Sequence, residues 1–193
     1  MKSSLTENSV RQFIDAVADQ RHAMAGAVIA AAAAQATALG LACMQISLEH
    51  WPENMDSGDA ANRIKEMVDL KERLVGWCDR DAEAIAKFVA LREAGDELSG
   101  QQLLCHAPAE MSRLSIQAAT ILQEFRPWVS ERVRDDLEMS LALLASAAQA
   151  AMLLLDSNLR IWPEKALLDE YEPVRAQLER HIRQLKPVAR IRN

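Results

Sequence analysis

Few side chains in this sequence are equipped for chemistry, and they are widely scattered. His22 directly precedes a long uncharged run. An imidazole there suits proton transfer near neutral pH, or it serves as a surface or capping residue. Asp135 and Asp136 stand side by side ahead of an apolar stretch. Neighbouring helical residues point roughly 100° apart, so the two carboxylates need not share a site, and a solvated charge pair is the competing reading. Asn158 follows Asp136 by twenty-two residues, roughly 33 Å on one continuous helix. The two could meet only if a second copy packed antiparallel; otherwise Asn158 reads as a helix C-terminal cap. Asp81 lies in the charged triplet Asp79-Arg80-Asp81, which by itself reads as a charged face, and His50 adjoins Glu49. His106 sits beside Cys105 without a third ligand at metal spacing, so no metal site is expected.

The elements that must hold these residues are all helical. Val10, Phe13, Ile14 and Val17 recur at helical spacing, with Ser9 as N-cap. Met24 to Met44 is twenty-one residues without a charge, ten of them alanine. Small side chains allow neighbouring helices to approach closely, so this segment is expected to be a central, surrounded helix. Asp56 or Ser57 is placed to cap a third helix, with Ile64, Met67, Val68, Leu74, Val75 and Cys78 inward, reaching about Ala94. Gly95 to Gly100 reads as the longest loop, and Pro108 as a first helical position. Pro127 is expected to restart the chain into a long helix. Pro163 opens the last one, with Leu167, Tyr171, Val174, Leu178 and Ile182 inward. Residues 187–193 read as a basic tail. No strand signal competes. The expected fold is an all-α bundle of about six to eight helices in a single domain spanning residues 1–193.

Composition narrows the function. A net charge of −6 argues against a general nucleic-acid binder, whose phosphate contacts need Lys and Arg. The three cysteines are odd in number and far apart, which fits a reducing cytoplasm and small core residues. The uncharged run is long enough to span a bilayer, but alanine buries little apolar area and Gln35 and Thr37 interrupt it. A buried core helix is the preferred reading, with no membrane partner.

Several segments, taken in order, carry a resemblance. They are Ser9-Val10-Arg11-Gln12-Phe13-Ile14-Asp15-Ala16-Val17-Ala18, then Asp81-Ala82-Glu83-Ala84-Ile85, then Asp135-Asp136 with the small-and-leucine helix after it, then Ser157-Asn158-Leu159. Their order and spacing, over about Ser9 to Ile182, resemble the cyclodeaminase/cyclohydrolase family. That family includes the cyclodeaminase half of formiminotransferase-cyclodeaminase and stand-alone methenyltetrahydrofolate cyclohydrolases. The resemblance implies one-carbon chemistry on a tetrahydrofolate-linked or similar imine, no prosthetic group, and a homodimer. It also implies catalytic roles for Asp136, Asp81 and His22, and ligand contacts from Gly26, Met24 and Asn158. The chain departs from the pattern in several places: Asp135 stands for a Ser, Leu154 for an Asn, Leu48-Glu49-His50-Trp51 for a basic segment, and the start of the central helix is altered. Where the family opens its central helix with Pro-x-Pro-Gly-Gly-Gly, this chain has His22-Ala23-Met24-Ala25-Gly26-Ala27. A glycine run lets backbone N–H groups approach a ligand, and alanine and methionine add bulk there. A non-catalytic dimeric paralogue that binds a small molecule or a protein is therefore the alternative.

Overall fold

The computed structural model describes residues 5–19, 24–49, 51 and 58–192. Among them are six α-helices and no strand: α1 (Val10–Ala18), α2 (Ala25–Leu48), α3 (Gly58–Glu93), α4 (Glu97–Phe125), α5 (Arg134–Ile161) and α6 (Lys165–Gln184). The expected all-α bundle is what the chain forms. Helices α2, α3, α4 and α5 close a ring in which each packs on its chain neighbour and α5 packs back on α2; α6 lies outside against α4 and α5. The ring runs up and down. Ser130 N–H donates to Ser47 Oγ at 2.9 Å and Ser140 Oγ to Ala36 O at 2.7 Å, so α5 rises where α2 descends.

The alanine run does the work its composition suggests, but only on part of its circumference. Ala27, Ala30, Ala33, Ala36, Cys43 and Met44 are buried. A methyl group on Gly40 would lie 2.5 Å from a Leu122 methyl and 2.8 Å from Ser140 Oγ. Three helices therefore converge where α2 has no side chain. Its other stripe, including Val28, Ala32, Gln35 and Ala42, stays exposed, so α2 is not surrounded within one chain. Both α2 and α5 are long and apolar enough to cross a membrane, and each buries more than half of its most apolar stretch against the other helices. Buried core helices are apolar in the same way.

The local signals for helix ends are partly followed. Ser9 caps α1, as expected, and the Gln12 side chain accepts in return from the Ser9 backbone N–H. The anticipated loop from Gly95 to Gly100 shrinks to residues 94–96. There Gly95 takes φ +82°, Asp96 N–H reaches Leu91 O and Gly95 N–H reaches Arg92 O, the paired bonds of a Schellman cap. Asp96 then caps α4 through Ser99 N–H. Pro108 does not open a helix; it sits inside α4. Pro127 does not start α5 either. Two single 3₁₀ turns, Arg126–Trp128 and Glu131–Val133, intervene before Arg134. Arg126 explains why they hold their place: its guanidinium donates to both oxygens of buried Glu138 at 2.6 and 2.8 Å, and to Lys186 O at 2.9 Å. The expected caps Asp56 and Ser57 lie outside the described residues.

Candidate functional site

Helix α2 begins without a cap of its own. Met24 stands at the N-cap position and its side chain accepts nothing, so the first N–H groups of the helix need another partner. Asp81, on α3, supplies it: Oδ2 accepts from Ala27 N–H at 3.1 Å. The approach requires a glycine, because a methyl group on residue 26 would sit 1.9 Å from Asp81 Oδ1. A carboxylate at a helix N-terminus is favoured by the exposed N–H groups and the helix dipole. Asp81 is also buried. Burial raises its carboxyl above the ordinary value of 3.8, and the Ala27 hydrogen bond opposes that rise in part. Gly26, Asp81 and half-buried Met24 are thus brought together. His22 lies outside the described residues, as does His50.

The charged triplet is not a plain face. Asp79 accepts from Leu5 N–H at 2.6 Å and from the Thr6 hydroxyl at 3.0 Å, tying down the N-terminal turn. Arg80 lies over the Trp77 ring. Only Asp81 turns inward.

Asp136 belongs to the other end of the bundle. It is exposed on the first turn of α5, where its charge, after burial itself, helps push the Cys43 thiol up to about 11. Cys43 is seventeen residues along α2 from Gly26, roughly 26 Å. Asp136 and the Gly26–Asp81 pair therefore do not share a site within one chain.

Asn158 has a defined partner. Its Nδ2 donates to Leu104 O at 2.8 Å. Leu104 precedes Pro108 by four residues, so it is the carbonyl that loses its helical donor to the proline. Asn158 restores that bond from α5. The expected helix-capping role is replaced by this cross-helix one, and the buried proline inside α4 is what the sequence reading missed. The antiparallel ring puts Asn158 at the same end of the bundle as the start of α2. Asp136 and Asn158 lie on the single helix α5, as their spacing implied. Among the described residues no group of three His, Cys, Asp or Glu side chains could hold a metal ion.

A family model described as formiminotransferase-cyclodeaminase matches residues 9–177. The chain belongs to the formiminotransferase-cyclodeaminase family. No curated protein matches it. The fold is similar to that of formiminotetrahydrofolate cyclodeaminase from Thermotoga maritima, with a TM-score of 0.77 at 21% identity, covering 93% of this chain and 94% of that one. Residues 9–177 run from the N-cap of α1 into α6, so the family match takes in Gly26, Asp81 and Asn158.

Two outcomes test these assignments. Because the folded-state pKa of Asp81 lies above its unfolded value, its contribution is most favourable below about pH 4 and is lost as pH rises through the folded pKa. Asp81→Asn keeps an acceptor for Ala27 N–H without the buried charge. Chemical denaturation of the two proteins should show the variant gaining stability relative to wild type as pH rises above about 4. A pH-independent difference would show that Asp81 is not desolvated. For the proline bond, Asn158→Ala should cost on the order of 1–2 kcal/mol by leaving Leu104 O unpaired. The loss should shrink when Pro108→Ala supplies an amide to the same carbonyl; additive losses would refute the pairing.

Proposed function

We propose that this protein is a cytoplasmic, homodimeric enzyme of one-carbon metabolism that acts on a folate-linked or similar imine. The observation that carries the proposal is the buried Asp81 carboxyl beside Gly26 at the start of α2, in a chain that belongs to this family. A carboxyl that holds its proton to higher pH than an ordinary aspartate suits general acid–base work. In a cyclodeaminase reaction one folate nitrogen attacks the formimino carbon, and the departing amine takes a proton and leaves as ammonia. Asp81 is assigned as the donor of that proton. In a cyclohydrolase reaction water adds to the cationic methenyl carbon, and the same carboxyl in its ionised form would accept the proton released. Gly26 and Met24 form the ligand-facing start of α2, with Asn158 holding α4 and α5 at that end. No prosthetic group enters either reaction.

The dimer enters through the exposed stripes of α2 and α5. Val28 on α2 and Met139, Leu143 and Leu153 on α5 are exposed, and no charge interrupts α5 between Met139 and Leu155. Asp136 stands at the head of that α5 stripe. An antiparallel pairing of two α5 helices would carry it to the Asn158 end of the second copy, where it can contribute its carboxylate.

The non-catalytic reading keeps two observations in its favour: Asp81 already occupies the Ala27 N–H, and Gly26 is the one glycine at the start of α2 where the resemblance leads one to expect three. Turnover decides. Purified protein should convert formimino- or methenyltetrahydrofolate, followed by absorbance and ammonia release. Asp81→Asn and Asp136→Asn should each lower kcat at least about hundredfold while light scattering shows an unchanged dimer. Wild-type protein that neither turns over a folate nor shifts its melting temperature with one would leave the non-catalytic reading.

A further inference from the structure

A cavity of about 690 Å³ opens between the first turns of α3, the second half of α4 and the end of α6, within the size range of small-molecule sites. It is remote from the start of α2. Glu66, on its wall, precedes Asp81 by fifteen residues on α3, roughly 22 Å. Its floor is apolar, made by Ile116, Ile121 and Leu185, each largely buried. Its walls carry three carboxylates, Asp59, Glu66 and Glu124, against the single guanidinium of Arg63. Arg63 is already engaged, with Nη1 2.6 Å from Glu124 and Nε 3.8 Å from Asp59. Glu66 makes no ion pair among the described residues. His181 also lines the cavity; with its imidazole neutral, the lining holds an excess of two negative charges. Two helices, α4 and α6, end here, at Phe125 and Gln184, against the single N-terminus of α3 at Gly58; helix C-termini favour cations and N-termini anions.

The arrangement selects against several ligand classes. An anion would meet uncompensated carboxylates. A purely apolar molecule would strand the charged walls. A dication with an apolar middle satisfies both features. Asp59 and Glu66 are two turns apart on one face of α3, about 10 Å along the axis, with Arg63 between them. A third ammonium in the middle of the ligand would face that guanidinium.

We propose that this cavity binds a linear aliphatic diamine, its methylene chain on the Ile116–Ile121–Leu185 floor and its two ammonium groups at Asp59 and Glu66. The site is independent of the folate-type reading of the α2 end. Cadaverine is the probe, titrated into the full chain by calorimetry. Wild type should bind it saturably at one site. Glu66→Gln, at an exposed position, should weaken binding at least about tenfold, whereas Glu83→Gln, exposed farther along α3, should leave it unchanged. Pentylamine, with one ammonium, should bind at least about tenfold more weakly than the diamine. The absence of saturable heat would overturn the proposal. Equal weakening by Glu66→Gln and Glu83→Gln would overturn it too, because it would reduce the effect to diffuse attraction toward a chain of net charge −6.

Discussion

The contact between Asp81 and the first turn of α2 is the constraint on which one end of this bundle depends. An uncharged helix of this length enters the core with no capping side chain at its N-terminus. Its first amides would otherwise be partly buried and unpaired, at a cost comparable to a lost hydrogen bond. A carboxylate from α3 closes that end, and it can do so only because residue 26 has no side chain. The same contact fixes the register of α2 against α3 and sets a desolvated carboxyl at the place where the proposed chemistry needs one. Stability and reactivity pull in opposite directions at this residue: ionised, Asp81 is the better acceptor for Ala27 N–H; protonated, it avoids the penalty of a buried charge.

The second constraint lies across the bundle. A proline inside α4 removes a donor, and Asn158 makes good the lost bond from α5. The two contacts, Asp81 to α2 and Asn158 to α4, tie the ring together at one end. At the opposite end the ties are Arg126 with Glu138 and the stacked rings of Trp51 and Phe125, 6.0 Å apart. Asp136 belongs to that second end, so its part in any reaction at the first end must come from another copy of the chain.

Much of the fold was legible because it is periodic. The stripe on α6 and the N-cap at Ser9 are local patterns that tertiary packing leaves intact, and the alanine run announced a close helix contact. Three things were not legible. Pro108 looked like a helix start because its local chemistry says so; the asparagine that makes it tolerable inside a helix comes fifty residues later. The start of α5 shifted from Pro127 to Arg134 because Arg126 bonds to Glu138 across the intervening turns, a pairing with no local signature. At the candidate site Gly26 and Asp81 were both singled out, but separately. Their contact spans fifty-five positions, and nothing in either neighbourhood announces it. The family resemblance singled out Gly26 and Asp81 at separate places in the sequence, and the structure shows them in contact.

Amide hydrogen exchange at Ala27 tests the central claim most directly. If Asp81 closes the start of α2, the Ala27 amide is protected in the wild-type protein and loses that protection in Asp81→Ala, while amides in the middle of α2, such as that of Leu41, remain slow. Equal protection of Ala27 in both proteins would contradict the account, because α2 would then be held at its N-terminus by something other than the Asp81 carboxylate.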